Sequence, residues 1–252
     1  MYAGKKSVPD NLFTLFGRLP VMEALQDPSL AFFKLHLAES NREGGIMSDI
    51  LRLAAKRDVP VVYHTRLALS RISRNGKQDQ GVALDILMPR LQDSQQLQAL
   101  AKEKSLRLLA LDNITNPQNL GMILRSACAG GMDGVIIPKR GCARLDALVI
   151  KASAGTFFRT PVFVCEKLPE CLQHLQQDGA TIYLMEANAK NSLLNHQPAS
   201  TAIYVLGNES DGISREVAQL PHTSLSIPMH NGVESLNVAM TATLIAYQTS
   251  QN

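Results

Sequence analysis

Asparagine, glycine and arginine stand close together in the segment from Asn116 to Ala127, NPQNLGMILRSA. Asn119 has the side chain of a helix N-cap, and Gly121 allows another group to approach the backbone closely. Arg125, six residues after Asn119, carries a guanidinium that can reach a phosphate or a reacting oxygen. A capped amphipathic helix with one surface arginine has the same pattern, so this segment alone does not define a site.

A second segment, VLGNESDGIS, is rich in glycine and runs from Val205 to Ser214. Where a strand ends in such a sequence, residues like Gly207 bring backbone N–H groups to the rim of a sheet, here beside the carboxylate of Glu209. The segment lacks the G-x-x-x-x-G-K-[ST] pattern of a phosphate loop. The alternative is a plain glycine-rich turn closed by its own polar side chains.

The third segment, IPMHNGVESLNVAM, runs from Ile227 to Met240. Gly232 predicts a loop after an apolar strand end, and Ser235 and Asn237 fall where the last helix should begin. Glu234 lies in the same loop, and the small apolar residues that follow predict a tightly packed helix. A capped C-terminal helix would explain most of this segment by itself.

The elements around these segments alternate between extended and helical patterns. Extended runs are predicted at 107–112, 134–138, 161–165, 181–185, 202–206 and 225–228, and helices at 119–129, 146–153, 168–177 and 236–248. This alternation predicts the α/β fold class, with a mostly parallel sheet covered by helices on both faces. Ligands bind such sheets beyond the carboxyl ends of the strands, which is where the three segments lie.

A smaller α/β domain is predicted for residues 1–90. Helical patterns occur at 20–27 and 48–56, and extended patterns at 32–38, 59–63 and 82–87. Residues 91–106 are polar and rich in glutamine, and we expect a linker that ends in a helix. Residues 107–252 then form the second domain.

The net charge of +3 is too small to indicate a nucleic-acid-binding protein by itself, but its distribution is uneven. Residues 1–106 carry 15 Lys and Arg against 11 Asp and Glu, whereas residues 107–252 carry 10 against 11. Four cations without a carboxylate between them predict a stretch that contacts phosphates: Arg66, Arg71, Arg74 and Lys77. A solvated helix face or loop would carry the same charges.

Composition excludes several other classes of protein. The sequence has no apolar run long enough to span a membrane, and its start, MYAGKKSVPD, lacks the apolar core of a secretion signal, so we expect a cytoplasmic protein. The four cysteines form no C-x-x-C pair and no metal-type spacing with the histidines. We therefore expect free thiols, no disulfide framework and no metal.

Taken together, the three segments resemble the motifs of the SpoU class within the SPOUT superfamily of RNA methyltransferases. The matching patterns are N-x-G-x-x-x-R from Asn119 to Arg125, L-G-x-E-x-x-G from Leu206 to Gly212, and I-P-M at 227–229 followed by S-L-N at 235–237. The resemblance runs from about Arg107 to Tyr247. GRLPVMEAL at 17–25 and QGV at 80–82 are similar to the substrate-binding domain that often precedes this catalytic domain. The sequence departs from the family at Asn208, where a smaller residue is common, and at Asp211, where glutamate is usual.

The resemblance implies a trefoil-knotted catalytic domain that binds S-adenosylmethionine and methylates a ribose 2′-hydroxyl in ribosomal or transfer RNA. It implies cofactor contacts from backbone groups of Gly207, Ile227 and Leu236, with Leu206 and Met229 nearby. It also implies a homodimer, for which the last helix offers an apolar surface. The implied catalytic and orienting residues are Arg125, Glu209, Asn119, Ser235 and Asn237.

The resemblance leaves the handling of the ribose proton open. Arginine is effectively never neutral in proteins, so we expect Arg125 to stabilise the developing alkoxide and not to act as a literal base. Glu209 would either accept the proton or hold Arg125. The main rival is an RNA-binding protein that kept the fold but lost turnover. A dinucleotide-dependent enzyme is a weaker rival, because Asp112 is followed by NITNPQNLG where G-x-G-x-x-G would be needed.

Overall fold

The computed structural model describes residues 12–28, 30–42, 44–87, 91–145 and 147–249. The chain divides into two compact units, an N-terminal unit, Met1–Arg90, and a C-terminal unit, Leu91–Asn252. Each unit has its own sheet.

The N-terminal unit is a four-stranded sheet with three helices. Its elements are β1 (Leu12–Phe16), α1 (Arg18–Gln26), β2 (Ala31–Ala38), α2 (Ile46–Lys56), β3 (Val61–His64), α3 (Arg66–Ser73) and β4 (Val82–Leu87). The strand order is β1-β4-β2-β3, in which only β2 and β3 run parallel. Alternation along the strands sends Leu35, Leu37 and Leu84 into a fully buried core and sends polar residues such as His36 and Asp85 to the other face.

Two elements of this unit are missing from the prediction. The first is β1, whose sequence LFTLF is short and half-buried throughout. The second is α3, which begins at the Thr65 N-cap and contains two of the four cations expected to contact phosphates, Arg66 and Arg71. Arg74 ends the helix in a left-handed conformation, with φ of 53°. The stretch is thus a helix followed by a turn, on which all four cations are exposed, and their contact with phosphates stays a prediction.

The C-terminal unit contains an all-parallel sheet in the described residues. Its strands are β5 (Gln92–Asp93), β6 (Arg107–Leu111), β7 (Gly134–Pro138), β8 (Val162–Cys165), β9 (Thr181–Met185), β10 (Asn191–Ser192), β11 (Ala202–Leu206) and β12 (Thr223–Ser226). Its α-helices are α4 (Ser94–Glu103), α5 (Pro117–Ala129), α6 (Ala147–Ala152), α7 (Leu168–Gln177), α8 (Arg215–Ala218) and α9 (Val238–Gln248). The strand order is β10-β12-β9-β11-β6-β7-β8-β5.

Burial explains why these strands are parallel and central. Every residue of β7 (GVIIP) and β11 (AIYVL) is buried, as expected for strands covered by helices on both faces. One core cluster runs from α4 and α7 through β6, β8 and β11. The α/β class with a parallel sheet is thus confirmed, together with β7, α7, β9 and β11 at their predicted bounds.

The structure corrects the linker. Residues 91–106 were expected to connect two domains, but Gln92 and Asp93 pair with β8 at the edge of the large sheet. Asp93 and Gln96 then form a capping box that starts α4, whose Leu97 is fully buried. The segment ends in a helix as predicted, yet it belongs to the fold of the C-terminal unit.

The start of α5 is a second correction. Asn116, and not Asn119, is the N-cap, because its side chain accepts a hydrogen bond from the N–H of Gln118 and Pro117 takes the first helical position. Asn119 lies inside the helix and is 6% exposed. Gly121 does permit a close approach: a Cβ there would lie 2.5 Å from the Cβ of Ala152 on α6.

The ends of two other elements differ slightly from their predicted positions. The strand predicted at 225–228 is β12, which ends at Ser226, and the helix predicted from 236 begins at Val238 after the Asn237 N-cap. All four cysteines are free, two of them fully buried. In the described part of the chain no helix is long and apolar enough to cross a membrane.

Candidate functional site

A cleft opens beyond the carboxyl ends of three neighbouring strands, β9, β11 and β12. Its walls come from the loops after these strands and from the start of α9. The predicted residues that line it are Leu206, Gly207, Glu209, Ile227, Met229, Ser235 and Leu236. The second and third sequence segments therefore meet at one cleft, at the edge of the sheet where parallel strands present ligand sites.

Backbone donors point to a ligand in this cleft. Within the described chain, the N–H groups of Gly207, Ile227 and Leu236 donate to no other protein atom. Backbone N–H groups are obligatory donors, so three unpaired ones at a single cleft fit a bound molecule with several acceptors. Leu206, Leu225 and Val238 supply apolar walls beside them.

A chain of hydrogen bonds joins the three sequence segments. The Asn237 Nδ2 donates to Oδ1 of Asn119 over 3.1 Å, and the Asn119 Nδ2 donates to Oε1 of Glu209 in a short hydrogen bond. Asn237 also caps α9, since its Oδ1 accepts from the N–H of Ala239 at 2.9 Å. The oxygen and the nitrogen of the Asn119 amide both form hydrogen bonds, which fixes the orientation of the amide and connects α5 and α9 to the Glu209 loop.

The turn that carries Glu209 is held tightly to the sheet. Asn208 and Gly212 exchange backbone hydrogen bonds of 3.0 and 2.9 Å, and a Cβ on Gly207 would overlap the backbone of Gly212. Asp112, at the end of β6, accepts from the N–H of Ser214 at 2.7 Å. Asn208, a departure from the family pattern, donates to the carbonyl of Asn113, and so anchors the turn. A glycine is needed at position 207 because no side chain fits there.

Arg125 lies outside this cleft. It is exposed on α5, and no carboxylate of the described residues lies within ion-pair distance of it. Glu209 therefore does not hold Arg125 within one chain, and accepts from Asn119 in its place. Of the predicted catalytic set, the structure brings together Glu209, Asn119, Ser235 and Asn237 and leaves Arg125 apart.

Three cleft residues were not expected from the sequence, namely Met185, Glu186 and Ala187 at the end of β9. No glycine or polar motif signals them, and only the position of their strand beside β11 could have indicated a role. Glu186 joins Glu209 and Glu234 in the lining, whereas no Lys or Arg occurs among the described lining residues. Three carboxylates without a counter-ion suit a positively charged ligand.

The described residues hold no group of three or more His, Cys, Asp or Glu side chains that could bind a metal ion. The cleft therefore offers backbone donors, carboxylates and apolar walls as its means of recognition.

These features define a two-unit α/β protein with an organic-ligand cleft at the carboxyl edge of a parallel sheet. Comparison with known families supports a specific class: the SpoU rRNA Methylase family model matches residues 107–247, and a model for RNA 2′-O ribose methyltransferase substrate binding matches residues 14–92. The chain belongs to the SpoU rRNA methylase family. The resemblance seen in the sequence motifs is thereby confirmed.

Relatives in sequence cover both units. An uncharacterized tRNA/rRNA methyltransferase of Mycolicibacterium vanbaalenii is 32% identical over 246 residues, which cover 96% of this chain and 77% of that protein. The 23S rRNA (guanosine-2′-O-)-methyltransferase RlmB of Xylella fastidiosa is 34% identical over 214 residues, covering 84% of this chain and 86% of the relative.

Solved structures share the fold. An RNA methyltransferase of the TrmH family from Porphyromonas gingivalis, described as putative in its structure report, superposes with a TM-score of 0.72 at 26% identity, covering 96% of this chain and 91% of that one. The SpoU methyltransferase AviRb from Streptomyces viridochromogenes, solved with AdoMet, gives a TM-score of 0.72 at 21% identity, covering 96% and 90%.

Substitution of Asn237 should separate helix capping from site assembly. Asn237→Ala removes both hydrogen bonds of this side chain, and we expect the free energy of unfolding to fall by about 1 to 2 kcal/mol. Asn237→Asp keeps the capping oxygen but lacks a donor for Asn119, so it should recover about 1 kcal/mol of that loss. Urea denaturation measures both changes. An aspartate variant as unstable as the alanine variant would show that capping contributes nothing.

Proposed function

We propose that this protein transfers a methyl group from S-adenosylmethionine to a ribose 2′-hydroxyl of RNA. The observation that carries the proposal is the cleft, where three unpaired backbone N–H groups lie beside a carboxylate fixed by the Asn237–Asn119–Glu209 hydrogen-bond chain. Family membership supports it, and so does the relative from Xylella fastidiosa, whose name gives guanosine 2′-O-methylation of 23S rRNA. We take 23S ribosomal RNA as the first substrate to test and the cytoplasm as the place of action.

The cleft fits this cofactor by chemistry. Gly207, Ile227 and Leu236 offer the donors that an adenine and a carboxylate require, and the apolar walls suit the rings and the methionine chain. The carboxylates of Glu186 and Glu234 match the positive charges of a sulfonium and an ammonium. When bound, the cofactor supplies a methyl group activated by the positively charged sulfur.

Glu209 is suited to take the ribose proton. Its Oε1 accepts from Asn119, and within the described residues nothing donates to Oε2. If the hydroxyl oxygen takes the methyl group as the methyl–sulfur bond breaks, Oε2 would accept the hydroxyl proton while Asn119 keeps the carboxylate in place. Arg125 remains positively charged, and we assign it the stabilisation of negative charge on the attacking oxygen, through contact with RNA. Alignment of the two reacting groups can contribute roughly 7 to 11 kcal/mol to the acceleration.

The N-terminal unit is proposed to hold the RNA. Its match to the substrate-binding model supports this, together with the exposed cations Arg66, Arg71, Arg74 and Lys77 on α3 and the following turn. Arg66 also pairs with the buried Asp79 at 3.6 Å, which restrains its position at the start of α3. Phosphate contacts of this kind position an RNA without reading its sequence.

The reaction product tests the assignment. Ribosomal and transfer RNA from cells with and without the gene should differ at one or a few positions in resistance to alkaline cleavage, because a 2′-O-methyl group blocks the attack of the 2′-oxygen on the adjacent phosphate. Mapping the resistant positions identifies the nucleotide. A new methyl group on a base, with cleavage unchanged, would contradict ribose methylation.

Arg125→Ala should separate cofactor binding from transfer. Because Arg125 lies outside the cleft, we expect the affinity for S-adenosylmethionine to stay within a factor of about two of wild type, a change below 0.5 kcal/mol, while methyl incorporation falls by roughly 10²- to 10³-fold. Calorimetric titration measures the affinity for S-adenosylmethionine, and transfer of a labelled methyl group to RNA measures the incorporation.

Arg52→Ala is the matched control, since it removes an exposed arginine of α2 in the other unit and should leave both measurements unchanged. Wild-type incorporation by the Arg125 variant would remove this residue from the mechanism. A wild-type protein that binds RNA but not the cofactor would favour the noncatalytic rival.

We also propose a homodimer that covers α9. This helix is apolar on two sides: Val238, Ala242 and Ile245 face the core, whereas Met240 and Leu244 are 60% and 36% exposed. Tyr247 continues the exposed stripe at 49%. A helix that is apolar all round is normally buried all round, and a second copy of the chain would cover the open side.

Charge placed on this stripe should dissociate the dimer. Met240→Glu combined with Leu244→Glu puts two carboxylates on the exposed side of α9, and sedimentation velocity should then show a monomer. Leu67→Glu, which changes a leucine 64% exposed on α3, is the control and should leave the dimer intact. A wild-type monomer at micromolar concentration would contradict the proposal.

A further inference from the structure

Four polar side chains form a continuous hydrogen-bond row across the sheet of the N-terminal unit. The Thr14 hydroxyl donates to Oδ1 of Asp85 at 2.7 Å, and Oδ2 of Asp85 lies 2.9 Å from Nε2 of His36. Nδ1 of His36 in turn lies 2.9 Å from Nε2 of His64. The four residues come from β1, β4, β2 and β3, so the row crosses every strand and ends on the edge strand. His36 and Asp85 are buried, whereas His64 is partly exposed.

The row determines the tautomer of His64. Burial raises the pKa of Asp85, but hydrogen bonds from His36 and Thr14 outweigh it and lower the pKa overall, so the carboxylate is ionised and only accepts. The neutral ring of His36 therefore carries its hydrogen on Nε2, which leaves Nδ1 as an acceptor. His64 then donates from its Nε2, and its own Nδ1 keeps a lone pair.

That lone pair is available to a ligand. No described residue donates to Nδ1 of His64. The titratable groups around the ring are Lys34 on β2, Glu39 in the loop after it, and His36. Desolvation, followed by the nearby His36 and Lys34, lowers the pKa of His64 and favours the neutral ring. Arg66 follows two residues later, at the start of α3.

A neutral acceptor near a cation selects a particular chemistry. The lone pair would repel a phosphate oxygen but accepts a hydrogen bond from a hydroxyl, while Lys34, which acts on the same ring, attracts phosphates. We infer that His64 accepts a hydrogen bond from a ribose 2′-hydroxyl of bound RNA and so helps this unit to distinguish RNA from DNA. The inference rests on the proposed RNA substrate and adds a contact that the positively charged residues alone cannot make.

The test compares two forms of one hairpin, taken from the region of 23S rRNA that the wild-type full-length protein protects in footprinting. One form is RNA, and the other carries 2′-fluoro groups at every nucleotide except the methylated one, so that it keeps the phosphates and the reacting hydroxyl but cannot donate elsewhere. We expect wild type to prefer the RNA by about 3- to 10-fold, as one hydrogen bond allows. His64→Phe should abolish this preference, and His64→Asn, whose Oδ1 occupies the place of Nδ1, should restore part of it.

Acidification provides a second measurement. Protonation of Nδ1 removes the acceptor, so the RNA preference is fully present while His64 is neutral and is lost as the pH falls through its lowered pKa, below the ordinary value of about 6.5. The Phe variant should show no such dependence. An RNA preference that grows on acidification would identify a phosphate contact by protonated His64 and overturn the inference.

Failure of the inference differs from failure of the proposed function. Thermal denaturation and S-adenosylmethionine binding should first show that the Phe variant is folded. If wild type methylates the RNA and this folded variant keeps the full RNA preference, only the role of His64 is overturned. If wild type neither binds nor methylates RNA, the proposed function is contradicted as well.

Discussion

The amide of Asn119 is the interaction on which the candidate site depends. It receives a hydrogen bond from Asn237 and gives one to Glu209, so one buried side chain joins the start of α9, the inside of α5 and the loop after β11. Asn119 is 90 residues from Glu209 and 118 residues from Asn237 in sequence. Hydrogen bonds to a charged partner contribute about 1.5 to 3 kcal/mol, and a buried amide that loses its partners costs about 1 to 3 kcal/mol. Another orientation of Glu209 is therefore unfavourable.

The parallel sheet makes this convergence possible. Strands β6, β9, β11 and β12 all end at the same edge, so the residues that follow them meet although the chain crosses the sheet between them. The order also reverses there: β7 and β8 lie on one side of β6, and β11, β9 and β12 on the other. Such reversals leave a crevice between loops that diverge. Asp112, at the end of β6, closes one side by binding the N–H of Ser214.

Sequence alone predicted much of this arrangement because its signals are local. Buried apolar runs such as GVIIP and AIYVL located two strands correctly, and motif resemblance predicted seven of the residues that line the cleft. The N-cap of α5 was misplaced because Asn116 and Asn119 have the same capping chemistry, although Pro117 indicated the correct choice. The helix α3 was not predicted, because its arginines fit a helix face or a loop equally well.

Local signals of this kind do not predict contacts between strands. Glu186 belongs to the cleft only because β9 lies between β11 and β12, and strand order cannot be read from a single strand. The row of Thr14, Asp85, His36 and His64 requires the register of four strands, which form one parallel and two antiparallel pairs. The trefoil knot implied by the family resemblance stays a prediction for the same reason, because threading is a property of the whole chain path.

Helix geometry constrains how Arg125 can take part in the reaction. Six residues of α-helix correspond to about 9 Å of rise and roughly 600° of rotation, so Arg125 points away from the side of α5 on which Asn119 contacts Glu209. It shares its side with Met122, one turn earlier and 40% exposed, and its neighbour Ser126 contacts Thr243 of α9. Arg125 therefore lies beside the apolar surface proposed to receive a second copy. A role in the reaction requires a bridging partner, which is either a phosphate of the RNA or the cleft of the other chain, because α5 itself directs the two groups to different sides.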